Sequence, residues 1–491
     1  MDLQILARQN PWWVDSARIR DDPTLAILSS QTVKWSPRLF HRFRLDRDRV
    51  YTLRGPRQVG KTTLVKALVR RLLEETRVDG RAILYFSCDL LRGPADLVDA
   101  IETYLEWQAP LRLPRRYMFL DEVSSVADWS LAVRALANRG RTRKCTVVLT
   151  GSHALDVSRQ VERLPGRRGE ALAPDEEDPL DKVLLPMKFA EYAETLSARV
   201  RGVLEQTGLL RRRIRWDNLE ALYGGSPSGT WSALQLLRGE TDRFLNDYLL
   251  TGGFPRPLNE FRGRGRIPTE VYDLYIRVLT GDLARWGSDE RTARELLAAI
   301  VDKMGTPVSW RTLASEADLG SHNTAAKYVE SLEKTFTLQT VYQYDPRRRR
   351  KAPKKDRKIY VADPFMFHAI RGWALGLAHP YDSSVEYVSN PRTRGLLLEA
   401  VAGDHLARVA FASGPASVFD AYEHVMFWRA HKGWEVDFVL RAGLKPMAFQ
   451  ITATRPDTDT YRSLRTFGGG IVLTETGEKA SVPLSAFLLL A

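Results

Sequence analysis

Nine residues, Gly55-Pro56-Arg57-Gln58-Val59-Gly60-Lys61-Thr62-Thr63, constrain this chain more than any other stretch. They have the spacing of a glycine loop that closes on a lysine and a hydroxyl residue. Such a loop turns successive backbone N–H groups inward around phosphates, sets the Lys61 ammonium against the β- and γ-phosphates, and offers the Thr62 hydroxyl to Mg²⁺. The flanks agree with this reading. Asp48 to Arg54 contains the β-branched and aromatic run of a buried strand, and Leu64, Leu68 and Leu72 share one face of a following helix. A helix N-terminus at the loop adds its dipole to the anion site. An α/β domain that takes ATP and Mg²⁺ is therefore expected.

The next apolar segments fill in the sheet. Arg81 to Cys88 reads as a second strand, and Tyr117 to Leu120 as a third that ends on Asp121-Glu122. After a phosphate loop, such a carboxylate pair has a division of labour: Asp121 joins Thr62 in holding Mg²⁺, and Glu122 orients and polarises the attacking water. A fourth strand, Thr146 to Leu149, runs into Thr150-Gly151-Ser152. Either Thr150 or Ser152 is the candidate for sensing the γ-phosphate.

The order of GPRQVGKTTL, FLDE, LTGS, Leu164-Pro165-Gly166-Arg167 and Val183 to Met187 resembles the prokaryotic single-chain AAA-type ATPases that carry a C-terminal restriction-endonuclease-like domain. The resemblance implies an arginine finger, Arg167 or its neighbour Arg168, that reaches the γ-phosphate of another subunit, and hence a homo-oligomer. Tyr248 to Pro255 is similar to that family's Gly-Gly-x-Pro signature, in which Pro255 would pack over the nucleotide and couple it to a lid helix at 272–286. The implied layout is an AAA-type core at 1–230, a helical lid at 231–288, a winged helix at 289–346, a basic loop and linker at 347–382, and the nuclease-like domain at 383–491.

The spacing of apolar residues from Ala293 to Val341 supports three helices and a strand, the pattern of a winged helix-turn-helix. Its third helix would present Ser321, His322, Asn323 and Lys327. The run from Arg347 to Lys358 follows, with nine basic residues against one acidic. Arg347, Arg348, Arg349, Arg350, Lys351, Lys354 and Lys355 are the candidates for neutralising nucleic acid phosphates, DNA in the first instance; a merely solvated hairpin is the alternative.

In the last segment Glu399 on a helix and Asp437 on a hairpin match two metal-holding positions of the PD-(D/E)xK nucleases. The third position departs, reading Gln450-Ile451-Thr452. Glutamine removes a carboxylate charge from a site that depends on such charges, and threonine cannot supply the lysine's cation. Nuclease activity is not expected.

Composition bounds these readings. A length of 491 residues exceeds one ordinary core. The 73 basic against 60 acidic residues leave a formal +13, which favours polyanionic partners. Cys88 and Cys145 alone rule out a disulfide framework and suit a reducing cytoplasm. No apolar run has membrane-spanning length, and Met1 to Asn10 lacks the apolar core of a signal peptide. The expected function is Mg²⁺-dependent ATP hydrolysis that drives a conformational change on a nucleic acid complex; a slow nucleotide switch or assembly scaffold acting on a protein is the alternative.

Overall fold

The computed structural model describes residues 1–152, 179–285, 287, 289–413, 423–430, 433–441, 445–453, 456–477 and 481–491. The chain divides into two compact units, Met1–Leu185 and Pro186–Ala491.

The first unit is built on five strands: β1 (Arg49–Arg54), β2 (Ile83–Ser87), β3 (Arg116–Asp121), β4 (Cys145–Gly151) and β5 (Asp181–Val183). Their order is β2-β3-β4-β1-β5, every pair parallel. Parallel strands need crossovers and end up covered on both faces, which is why these segments are apolar throughout instead of alternating. The helix Lys61–Glu74 buries Leu64, Leu68 and Leu72 together with Val65 and Val69. Each such side chain contributes about 1.5–3 kcal/mol relative to exposure. Because β4 is inserted between β1 and β3, the ends of the loop strand and the carboxylate strand both lie beside the end of β4.

An open sheet edge invites foreign pairing, and β2 is an edge strand. Here the N-terminal segment covers it with side chains and not with another strand. Asn10 donates through Nδ2 to the Tyr85 carbonyl at 2.8 Å and accepts the Tyr85 N–H at 2.6 Å, Gln9 accepts the Ser87 N–H at 2.8 Å, and Trp13 donates to the Ile83 carbonyl at 2.7 Å.

The second unit begins with a helical region that includes Phe189–Leu196, Arg238–Thr251, Pro255–Arg264 and Thr269–Arg285. Three helices, Glu290–Asp302, Trp310–Glu316 and His322–Lys334, then lead into β6 (Leu338–Asp345), β7 (Arg350–Lys351) and β8 (Arg357–Val361). β8 runs antiparallel to β6. The same β6 pairs in parallel with β9 (Val425–Arg429) and so joins β10 (Glu435–Leu440), β11 (Met447–Thr452), β12 (Ile471–Thr474) and β13 (Val482–Pro483) in one eight-stranded sheet. Seven of the nine basic residues between 347 and 358 stay at the surface or half-buried, whereas Arg357 and Lys358 turn into the interior at 3% and 1% exposure. The strand that carries them has a buried face, which a composition count over the whole run does not register.

Gly252 and Gly253 have a packing role inside this unit. Gly252 sits at φ +56°, and a Cβ there would lie 2.1 Å from Asp363 Oδ1; one on Gly253 would lie 2.2 Å from the Met187 carbonyl oxygen. Asp363 is buried, accepts the Gly253 N–H at 2.7 Å, and caps the helix Pro364–Leu375 by accepting from Phe365 and Met366. Gly252→Ala is therefore expected to destabilise the unit by about 2–4 kcal/mol through the clash and the unfavourable φ. Thermal unfolding at the parent temperature would refute this account of the glycine pair.

Candidate functional site

The phosphate loop leaves β1 at Arg54 and re-enters regular structure at Lys61. Gly60, at φ +102°, is the residue before the helix, a conformation that side-chain-bearing residues rarely adopt. It lets the chain turn from loop to helix while the first helical N–H groups stay directed at the loop. Gln58 also has positive φ, at +63°, and Val59 is fully buried beneath the loop. Lys61 is 4% exposed; its ammonium lies 3.0 Å from the carbonyl oxygens of both Gly55 and Pro56 and 3.4 Å from Glu122 Oε1.

Opposite the loop, the end of β3 presents Asp121. Its Oδ2 accepts the Thr62 hydroxyl at 2.7 Å and the Tyr85 phenol at 3.0 Å, while Oδ1 accepts the Thr150 hydroxyl at 2.5 Å. Thr150 also accepts the Glu122 N–H at 2.8 Å. Glu122 itself is held at φ +51°, and its Oε2 is buried with no hydrogen-bond partner among the described residues. Burial and the neighbouring Asp121 raise the Tyr85 pKa, so the phenol keeps its proton and stays a donor.

The sequence-derived set thus converges in part. Gly55 to Thr63, Asp121, Glu122 and Thr150 surround one place. Thr150 touches both Asp121 and Glu122, and Ser152 is buried two residues further on, at the start of the undescribed stretch. Arg167 and Arg168 lie outside the described residues. Pro255 belongs to the second unit, where it opens the helix Pro255–Arg264. Adjacent hydroxyl and carboxylate oxygens on Thr62 and Asp121 are the hard donors that suit Mg²⁺, an ion that keeps several waters and takes its other ligands from substrate phosphates. Tyr85 escapes sequence reasoning, because an aromatic residue in an apolar strand carries no motif.

A second constellation lies in the C-terminal sheet. Lys358 Nζ sits 2.6 Å from Glu435 Oε1, 2.8 Å from Glu399 Oε1 and 3.5 Å from Asp437 Oδ1. The Tyr360 phenol donates to Glu399 at 2.6 Å, and Gln450 Nε2 donates to Asp437 at 2.7 Å. Glu399 and Asp437 are expected here; Glu435, Lys358 and Tyr360 are not. Glu435 is legible as the residue two before Asp437 on the same strand, whereas Lys358 comes from a strand far away in sequence. Burial opposes the lysine's charge, but Glu399, Tyr360, Asp437 and Glu435 together raise its pKa well above the ordinary value. For Asp437, burial and then Glu399 push the carboxyl up to about 7 from an ordinary 3.8. An unfolded chain loses this proton near the ordinary value and the folded one only near 7, so the stability that the protonated group lends declines as pH rises between those limits. Asp437→Asn should flatten the fall in melting temperature across that window; an unchanged slope would contradict a proton retained on Asp437.

Comparison with known proteins adds the following. Residues 47–193 match the family model of an AAA domain, and residues 242–376 match that of a domain of unknown function (DUF8612). An uncharacterized protein of Haemophilus influenzae is 22% identical over 345 residues, covering 67% of this chain and 70% of its own. Among solved structures, the Walker-type ATPase PABY2304 of Pyrococcus abyssi is 15% identical, covers 66% of this chain and 91% of its own, and has a TM-score of 0.35. The Aeropyrum pernix ORC1 protein in complex with DNA is 13% identical, covers 74% and 97%, and has a TM-score of 0.30. The first unit is thus an α/β fold with a parallel sheet, and the segment with the phosphate loop, Asp121 and Thr150 is similar to an AAA domain.

Proposed function

We propose that this protein binds ATP at Gly55 to Thr63 and hydrolyses it with Mg²⁺, and that the turnover acts on a nucleic acid complex. The observation that carries the reading is the meeting of Lys61, Thr62, Asp121, Glu122 and Thr150 around one glycine loop. The loop amides and the Lys61 ammonium bind the phosphates. Thr62 and Asp121 would hold Mg²⁺, whose contribution is to neutralise charge on the phosphate oxygens as it develops. Glu122, with one buried oxygen lacking a described partner, accepts the proton of the attacking water. Thr150 links the Asp121 carboxylate to the Glu122 backbone, so a change at either is felt by the other.

The nucleic acid part of the reading rests on the hairpin after β6. Arg347, Arg348, Arg349, Arg350, Lys354 and Lys355 are exposed, and Lys351 is half-buried and paired with Glu423. They follow three helices and lie between the paired strands β6 and β8, in the order of a winged helix, which we take as the frame that presents them. The C-terminal sheet binds and does not cleave in this reading, because Gln450 and Thr452 stand where the third carboxylate and the lysine of such a nuclease would be.

Two measurements test the two halves. Lys61→Ala is expected to lower ATP turnover by about a hundredfold or more while leaving the fold largely intact, since it removes a charge that stabilises the transferring phosphoryl group; turnover at the parent rate would refute the hydrolysis reading. Charge reversal at Arg347, Arg348, Arg349 and Arg350 should weaken duplex DNA binding and lower the slope of log affinity against log salt by about 3.6, as expected from the loss of roughly four phosphate contacts. Unchanged affinity at fixed salt, with no stimulation of turnover by DNA or RNA, would move the partner from nucleic acid to protein.

A further inference from the structure

Tyr85, which carries no sequence motif, stands at the end of a chain of contacts that begins outside the AAA-domain match. Asp22 caps the helix Pro23–Ser30 by accepting from Thr24 and Leu25 through Oδ1. Its other oxygen, Oδ2, lies 3.1 Å from the ammonium of Lys66, and both side chains are only 8% exposed. Lys66 comes from the helix that follows the phosphate loop. Its ammonium stands 3.5 Å over the Tyr85 ring and 5.0 Å from the Trp12 ring. Tyr85, whose backbone is clamped by Asn10, delivers its phenol hydrogen to Asp121 Oδ2. Burial lowers the Lys66 pKa, with Asp22 and then Asp121 opposing it, so the lysine's charge depends on the partner that the N-terminal segment provides.

Asp121 Oδ2 accepts two hydroxyls, from Thr62 and from Tyr85. Only one of these belongs to the expected metal-holding pair. If Thr62 offered its oxygen lone pair to a metal ion, the carboxylate would still be held by two groups outside the metal-holding pair, the Tyr85 phenol on Oδ2 and the Thr150 hydroxyl on Oδ1. A cation over an aromatic face withdraws electron density and strengthens the phenol as a donor. We propose that Tyr85 is the positioning residue of the Asp121 carboxylate, and that the N-terminal segment sets its grip through Asp22 and Lys66. The proposal rests on the nucleotide-site reading above and gives the segment before residue 47 a part in metal binding.

The test measures Mn²⁺ affinity by electron paramagnetic resonance, using the full chain with a non-hydrolysable ATP analogue. Supporting groups behind a metal-holding side chain typically contribute 10- to 100-fold in affinity, so Tyr85→Phe is expected to weaken Mn²⁺ binding about tenfold while analogue affinity without metal stays within about twofold. Lys66→Met and Asp22→Asn should each shift Mn²⁺ affinity in the same direction by about threefold, and Lys66→Arg should restore most of it. Mn²⁺ affinity of a folded Tyr85→Phe protein within about twofold of the parent overturns the role of Tyr85. Equal losses of metal-dependent and metal-free analogue binding also overturn it, because they indicate general damage to the loop. A shift in Tyr85→Phe alone overturns the link to the N-terminal segment. Failure of the underlying reading is distinguishable, since the parent would then bind no analogue and turn over no ATP before any variant is made.

Discussion

The Asp121 carboxylate is the junction on which the first unit's site depends. Three hydroxyls reach it from three elements: Thr62 from the loop helix, Thr150 from β4 and Tyr85 from β2. At 3% exposure, a carboxylate is tolerated only when such donors replace its lost water. The strand order makes the arrangement possible. With β4 between β1 and β3 and with β2 on the far side of β3, the strand ends surround Asp121 from both sides. Moving β2 or β4 would take one of these donors from a buried carboxylate, so the sheet topology and the site hold each other in place.

The second unit has its own buried junction with the opposite sign at the centre. Lys358 is a cation shared by Glu399, Glu435 and Asp437. One ammonium cannot neutralise three ionised carboxylates, and the surplus is reduced by one through the proton that Asp437 retains up to about 7. Among the described residues no group of three or more His, Cys, Asp or Glu is arranged to hold a metal ion. The departure at Thr452 thus has a counterpart elsewhere in the chain: a lysine is present at the carboxylates, but it arrives from β8 and is enclosed by them. Its neighbour Tyr360 completes the enclosure by donating to Glu399.

Local features are legible in the sequence and contacts across the fold are not. Gly60, Lys61 and Thr62 act within a few residues of one another, so their spacing already states their geometry. Asp121 and Glu122 are legible only together with the phosphate loop upstream, because an apolar strand that ends in two carboxylates is by itself an ordinary polar turn. Between Thr150 and Ser152 the spacing is silent, and contact with Asp121 marks out Thr150. Tyr85 and Lys66 are invisible because each looks like core or helix surface until the strand order sets one against the other. Gly252 is legible as part of a Gly-Gly-x-Pro turn, but its need for a missing side chain comes from Asp363, more than a hundred residues later. The meeting of Lys358 with Glu399, Glu435 and Asp437 is hidden for a related reason, since those carboxylates come forty and more residues later in the chain.

Burial also bears on what the net charge means. Among the described residues the buried bases are Arg54, Lys61, Lys66, Lys182, Lys188, Arg357 and Lys358, and the buried acids are Asp22, Asp121, Asp181, Asp282, Asp363, Asp404 and Asp437. Seven stand against seven, so the described interior uses none of the surplus of +13 and the excess belongs to the rest of the chain. Excess charge spread evenly would act weakly, because exposed charges more than about 8–10 Å apart are screened at physiological salt. Between Arg347 and Lys355 seven basic residues fall within nine positions, close enough to be felt as one field. Local density on that hairpin, more than the overall balance, is what supports the proposed binding of a polyanion.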